Sequence, residues 1–181
     1  AGAPPAPQLP PGELERFLGS QAAERIGTEG WIVVRELRRD LDEGEAAEAV
    51  VVEGRLEQGP EPEALRVSIW RPGPTGWERL GRTEPVPGSE VELLAFGRCG
   101  GEETLLFAAV EHEPDQRRHR LFVLRNLPSL ERALGIQRDV GADGPAGFSA
   151  TSDGFAFRVG AAEERWRCVD GGYVAVAPPS P

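Results

Sequence analysis

The sequence has no lysine and no methionine, a single asparagine (Asn126), and only two histidines and two cysteines. All twenty basic residues are therefore arginine, and thirty acidic residues leave a formal net charge of −10. Because a nucleic-acid-binding surface needs positive charge to displace the counterions of phosphate, this balance argues against nucleic acid as a partner. It also disfavours binding to an anionic membrane surface.

Long hydrophobic runs are absent too. No stretch approaches the roughly 18 apolar residues that a membrane-spanning helix needs, so the sequence predicts no transmembrane segment. The chain begins AGAPPAPQLPPG, and such a Pro/Ala segment has too little apolar bulk to fold. We therefore expect residues 1–11 to be a disordered linker and residues 178–181 a disordered tail. Linkers of this kind commonly follow a removed signal peptide or a lipid-modified cysteine. This favours a periplasmic or extracellular protein, lipid-anchored or free, over an ordinary cytoplasmic one.

Sequence patterns typical of catalysis are missing as well. Ser149 lies in GFSAT, which lacks the second glycine of the G-x-S-x-G motif and precedes another strand signal. No glycine-rich phosphate loop precedes a helix. Adjacent carboxylates, as at Glu102 and Glu103, point to opposite faces of a strand and do not form an acid/base pair. The sequence therefore predicts a protein that is not an enzyme.

The two histidines provide the main alternative to that prediction. His112 and His119 flank EPDQRR, so a hairpin could bring them together across two strands. With Glu111 or Asp115 they would then form a zinc or nickel site. Two exposed strand ends beside a turn explain the same residues without a metal.

What the sequence does contain is a regular series of strand signals separated by its 23 glycines and 17 prolines. The signals fall into three sets with a period of about 50 residues, typical of a propeller blade or a stacked β-meander. Three sets are too few to close a propeller. We therefore predict an open, blade-like or sandwich-like stack of antiparallel meanders in one mainly β domain over residues 12–177. The sets are GWIVVREL, EAVVVEGRL, LRVSIWRP and GWERLGRT; SEVELLAFGRC, ETLLFAAVE and HRLFVLR; and FAFRVG, ERWRCVD and YVAVA.

Two helices are predicted beside these strands. Apolar residues recur at helical spacing over residues 12–27, with charged residues on the opposite face. We expect this N-terminal α-helix to cover an edge strand. A second, shorter helix is predicted in SLERALG, with Ser129 as its N-cap.

An acidic loop, DLDEGEAAE, precedes the valine-rich strand of the first set. It resembles the calcium-binding loop of FG-GAP and VCBS-type repeats, which reads D-x-D-G-D-G-x-x-D/E, and the resemblance extends over residues 30–80. Asp40, Asp42 and Glu48 match the first, third and ninth positions, whereas the fifth and sixth depart from the family pattern. The resemblance implies a blade-like fold and a weak calcium site at these three residues. A surface turn whose acids keep an edge soluble is the alternative.

The cysteines and tryptophans complete the candidate residues. Cys99 and Cys168 would form a disulfide in an exported protein and remain buried thiols in the cytoplasm. The four tryptophans are predicted to fill the core, except Trp77, which lies close to a turn. Trp77 and Arg79 are therefore a predicted binding surface.

Together these features predict a non-enzymatic, exported or lipid-tethered interaction or scaffold module with a protein or carbohydrate partner. No cofactor is predicted beyond weakly bound calcium. The alternatives are a metal-dependent hydrolase or calcium-binding module that uses the acidic loop 40–48 or the histidines, and a carrier of a small ligand.

Overall fold

The computed structural model describes residues 30–41, 47–74 and 76–177, and this part of the chain consists of strands without a helix. The prediction of mainly β structure in open antiparallel sheets is confirmed there. The helix predicted over residues 12–27, the linker 1–11 and the tail 178–181 lie outside the described residues. The strands are β1 Trp31–Arg39, β2 Glu48–Arg55, β3 Ala64–Gly73, β4 Gly76–Arg82, β5 Val86–Pro87, β6 Glu90–Cys99, β7 Glu102–His112, β8 Gln116–Arg125, β9 Glu131–Gly141, β10 Ala146–Ala150, β11 Gly154–Val159, β12 Ala162–Val169 and β13 Gly172–Ala175.

Each of the three sets of strand signals forms one antiparallel meander of four strands, in which sequence neighbours pair. Sheet A has the order β1-β2-β3-β4, and the short β5 pairs with β3. Sheet B has the order β6-β7-β8-β9, and sheet C has the order β10-β11-β12-β13. Strand signals separated by turn residues give this succession of hairpins directly. Three of the strands, β5, β9 and β10, are not among the strand signals of the sequence.

The helix predicted in SLERALG is wrong, because residue 131 begins strand β9. Exposed and partly buried positions alternate along β9, and Leu134, Ile136 and Val140 pack against the core. This alternation has the period of two that a strand with one buried face requires. Pairing with β8 along the whole strand outweighs the local helix preference of the segment.

The described strands fall into two compact units. The first unit comprises the described residues up to Pro87 together with Pro128–Leu130, and it contains sheet A. The second unit comprises residues 88–127 and the described residues from Glu131 onward, and it contains sheets B and C. The prediction of one domain over residues 12–177 stays a prediction.

In the first unit, the central strands β2 and β3 are buried on both faces. One face is aliphatic, and the other carries a cluster of small and aromatic side chains. Burial of each aliphatic side chain contributes about 1.5–3 kcal/mol, so these two strands are the stable centre of the unit. The aliphatic residues, each 0% exposed, are Val50, Val52, Leu65, Val67 and Ile69; the cluster is Ala49, Val51, Trp70 and Trp77.

In the second unit, sheets B and C pack face to face across an apolar core. Phe155 stacks on Trp166 with ring centroids 5.1 Å apart, and Phe148 lies 4.7 Å from Phe157. These rings give the core a large apolar area and a defined packing geometry. The buried core residues are Leu106, Ala108, Leu121 and Val123 from sheet B, and Phe148, Phe155, Phe157 and Trp166 from sheet C.

Candidate functional site

The predicted calcium ligands are only partly described. Asp40 is exposed just after β1, and Asp42 lies outside the described residues. Glu48 is 1% exposed; its Oε2 accepts a hydrogen bond from the backbone N–H of Leu41 at 2.8 Å, and its Oε1 lies 3.6 Å from Arg71 Nε. This carboxylate therefore ties Leu41, just after β1, to β2. No group of three or more metal-ligating side chains occurs among the described residues, and the calcium site stays a prediction.

The two histidines lie on adjacent strands and have separate carboxylate partners. His112 is exposed, with its Nε2 3.1 Å from Glu90 Oε2. His119 is 1% exposed, with its Nδ1 2.8 Å from Glu92 Oε2. Glu92 occupies a bulge in β6 and also accepts the backbone N–H of Phe148 at 2.7 Å. The Glu92 carboxylate therefore links sheet B to sheet C through His119 and Phe148.

The prediction of a binding surface at Trp77 and Arg79 is wrong for Trp77. Trp77 is 1% exposed, packs in the aromatic cluster of sheet A and has the guanidinium of Arg38 4.5 Å from its ring centroid. Arg79 is exposed on the same strand. The turn beside Trp77 suggested exposure, but the packing of sheet A covers the ring. The other tryptophans are buried as predicted: Trp31 is 5% exposed, Trp70 4% and Trp166 7%.

A buried charged network lies on the tryptophan-bearing face of sheet A. Glu53 and Arg66, which are 4% and 8% exposed, are opposite each other on β2 and β3, with Arg66 Nε donating to Glu53 Oε2 at 3.0 Å. The Arg66 guanidinium lies 3.8 Å from the ring centroid of Trp31. Ser68 accepts the indole N–H of Trp70 at 3.0 Å. Because buried charges are stable only when they are paired, we regard this network as structural.

Cys99 and Cys168 form a disulfide in the second unit, with their Cα atoms 5.4 Å apart. Cys99 ends β6 and Cys168 lies in β12, so the bond joins sheet B to sheet C. The turns beside it are in close contact: a Cβ added at Gly100, whose φ is +64°, would lie 2.8 Å from the Cα of Gly171. Glycine at position 100 permits both the left-handed backbone and this approach.

Strand β13 is an edge of sheet C. The backbone N–H of Val176, just beyond the strand, donates to the carbonyl of Arg165 in β12 at 2.8 Å. The direction of backbone hydrogen bonding alternates along an antiparallel strand. The N–H and C=O groups of Val174 therefore face β12, and those of Tyr173 and Ala175 face the open side of the sheet.

Exposed apolar side chains cluster at the same edge. Val169, Val174 and Val176 are 37%, 45% and 40% exposed. Arg165 and Arg167 of β12 lie beside them, since Arg167 is opposite Val174 and Arg165 is bonded to Val176. We call the outward backbone groups of β13 and these three valines the valine edge. An exposed apolar row along the open side of an edge strand is typical of a protein-interaction surface.

An ion-paired row continues the outer face of sheet C. Arg158 Nε donates to Glu163 Oε2 at 3.0 Å, and Arg165 Nε lies 3.3 Å from Glu163 Oε1. The hydrogen bond from Arg158 lowers the pKa of Glu163 from its ordinary value of 4.5. Glu163 therefore stays ionised and offsets part of the positive charge beside the valine edge.

The second unit also contains a cavity of about 180 Å³ beside the disulfide. The hydroxyl oxygens of Thr104 and Tyr173 in its wall are 3.0 Å apart. Acidic, basic, hydroxyl and aliphatic side chains all contribute to the lining. The lining residues come from β6 (Cys99), β7 (Glu102, Thr104), β8 (Val123, Arg125), β9 (Ala133, Leu134) and the β12–β13 hairpin (Gly171, Gly172, Tyr173).

No model of a known protein family matches the chain, and no curated protein matches its sequence. The described fold nevertheless defines a class: an all-β protein of successive four-stranded antiparallel meanders. The meander β1–β4 of sheet A has the four strands of a propeller blade, with β5 as a fifth strand beside β3. The likeness of residues 30–80 to FG-GAP and VCBS-type repeats stays a prediction. The described residues contain no helix that is long and apolar enough to cross a membrane.

Proposed function

We propose that this protein is a non-enzymatic, exported interaction module that binds an extended segment of a partner protein along β13. The valine edge is the observation that carries the proposal. A segment added beside β13 would pair with the outward N–H and C=O groups of Tyr173 and Ala175. It would also cover the exposed valines Val174 and Val176.

The chemistry of the edge indicates the kind of segment it accepts. Side chains of an added strand alternate between two faces, and those on the outer face would meet valines and then the guanidinium groups of Arg165 and Arg167. We therefore infer a segment that carries both apolar and acidic side chains on its outer face. A second copy of this chain is a poorer occupant, because each copy has a net charge of −10.

An exported location is part of the proposal. A disulfide such as Cys99–Cys168 persists in oxidising compartments and is rare in the cytoplasm, which supports a periplasmic or extracellular protein, lipid-anchored or free. The predicted carbohydrate partner is less well supported than a protein partner, because all four tryptophans are buried.

Buried titratable groups support binding over catalysis. Glu53 is held by Arg66, and His119 by Glu92, so each has a structural partner. Glu48 likewise accepts the backbone N–H of Leu41. These were the buried groups best suited to act as acid, base or metal ligand. The alternative of a metal-dependent hydrolase therefore gains no support from the described residues.

The proposal is tested with peptides selected from a displayed random library against the wild-type protein. Ala175→Pro removes an outward N–H while sparing the bonds to β12, and we expect it to weaken binding by at least about tenfold. Val174→Asp should do the same by placing charge on the apolar row. Val159→Asp is the matched control, because Val159 and Val174 are both 45% exposed in sheet C.

Selection of peptides rich in apolar and acidic residues, with binding lost in the two edge variants and kept in Val159→Asp, supports the proposal. Failure to select any peptide, or equal losses in all three variants, contradicts it. A change of oligomeric state in Ala175→Pro would assign the edge to self-association instead.

A further inference from the structure

The cavity beside the disulfide exists for two structural reasons. A register shift in the β8–β9 pairing, between Val123 and Leu124, leaves Ala133 as an additional residue in β9. On the other side, Gly171 and Gly172 contribute no side chain, and a Cβ added at either would meet nothing within 4 Å. The end of the core between sheet B and the β12–β13 hairpin is therefore left unfilled.

Two opposite charges line this space. Arg125 is exposed at the end of β8, and its side chain makes no hydrogen bond or ion pair within the described part of the chain. Glu102 is exposed at the start of β7, where its Oε1 accepts the backbone N–H of Asn126 at 2.9 Å. That bond orients the carboxylate and leaves its second oxygen for another partner. The guanidinium offers a planar fork of N–H donors, which fits a carboxylate.

Hydroxyl and aliphatic groups form the rest of the wall. The Thr104 and Tyr173 hydroxyls share one hydrogen bond, so one O–H remains to donate to a ligand. Thr104 is 4% exposed, and a Cβ at Gly97 would lie 2.9 Å from the tyrosine oxygen, so glycine leaves room for this pair. Val123 and Leu134 supply an apolar surface.

We propose that this cavity binds a small zwitterion of the α-amino acid class with an apolar side chain. Arg125 binds the carboxylate, Glu102 binds the ammonium group, and the side chain lies against Val123 and Leu134. The volume of the cavity is about 180 Å³. Sites for drug-sized ligands measure about 300–1,000 Å³, so the size fits an amino acid and not a large cofactor. This inference is independent of the valine edge.

Calorimetric titration of the oxidised full chain with a panel of uncharged α-amino acids tests the proposal, with L-leucine as the first probe. We expect L-leucine to bind at least about tenfold more tightly than 4-methylpentanoate, which lacks the ammonium group, or 3-methylbutylamine, which lacks the carboxylate. Loss of one charge-assisted contact should cost about this factor.

Two variants test which residue binds the carboxylate and which binds the ammonium group. Arg125→Gln should weaken L-leucine and 4-methylpentanoate and leave 3-methylbutylamine unchanged, whereas Glu102→Gln should weaken L-leucine and the amine alone. Arg35→Gln, at an exposed arginine of β1, is the control and should change nothing. Ala133→Trp should fill the cavity and abolish binding; a thermal melt verifies that it folds.

The proposal is overturned if no amino acid of the panel binds, or if binding persists unchanged in Arg125→Gln or in folded Ala133→Trp.

Discussion

Strands β1 and β13 are edge strands of sheets A and C, yet their sequences differ sharply. Strand β1 carries Arg35, Glu36, Arg38 and Arg39 among its nine residues. Strand β13 is Gly172–Ala175, has no charged residue and is followed by the exposed Val176. Charge on an edge opposes strand addition because it must be desolvated, so β1 is protected and β13 is open. The contrast indicates where a partner would bind.

The two units also differ in how their strands are buried. Strands β2 and β3 of the first unit are buried on both faces and enclose the Glu53–Arg66 ion pair. Sheet C buries one face and exposes the arginines and valines of the other. We infer that the first unit is chiefly architecture, and that the second carries recognition.

The largest loss of stability is expected from a substitution inside the first unit. Glu53→Ala leaves the Arg66 guanidinium buried without its carboxylate and should destabilise the fold by about 3–5 kcal/mol. Denaturant unfolding measures the loss. Glu57→Ala is the control, because the Arg55–Glu57 ion pair is at the surface, with Glu57 49% exposed, and should cost about 1 kcal/mol or less. Equal losses would contradict a structural role for the buried pair.

The second unit has a covalent link in addition to its apolar core. Cys99→Ser with Cys168→Ser should lower stability by about 2–5 kcal/mol, since the bond closes a loop across a sequence separation of 69 residues. Unfolded, unreduced wild-type protein should also contain no titratable thiol. Two free thiols in protein from an oxidising compartment would contradict the bond.

The smallest expected effect is the pH dependence of the Arg158–Glu163 pair. Because the pKa of Glu163 is lowered in the folded state, the pair stabilises the protein above the ordinary value of 4.5 and loses this effect as the pH falls through the folded pKa. Glu163→Gln should therefore be slightly less stable than wild type at neutral pH. Thermal melts at decreasing pH should show the two proteins converging, and a difference that widens in acid would contradict this.

Strand content and the three meanders could be predicted from the sequence because hydrophobic alternation and turn residues are local signals. Strand β9 was missed because the strong helix preference of SLERALG masked the alternation of Leu134, Ile136 and Val140. The segment YVAVA was recognised as a strand. Its position at an edge depends on which strands pair, and that is not a local property.

The cavity could not be predicted from the sequence, because it also depends on contacts between distant segments. It forms where the β6–β7 turn at Gly100 meets the β12–β13 turn at Gly171, about 70 positions apart in sequence but joined by the adjacent disulfide. The burial of Trp77 likewise depends on packing around sheet A. Neither contact leaves a pattern within a short window of sequence.

The contrast between β1 and β13 is tested most directly by hydrogen exchange of backbone amides, with and without a peptide selected by the wild-type protein. In the free protein, the amides of Tyr173 and Ala175 should exchange faster than those of Val174 and Val176, because only the latter pair with β12. Saturating peptide should slow Tyr173 and Ala175 and leave the amides of β1 unchanged. Protection at β1, or binding without protection at β13, would contradict the account.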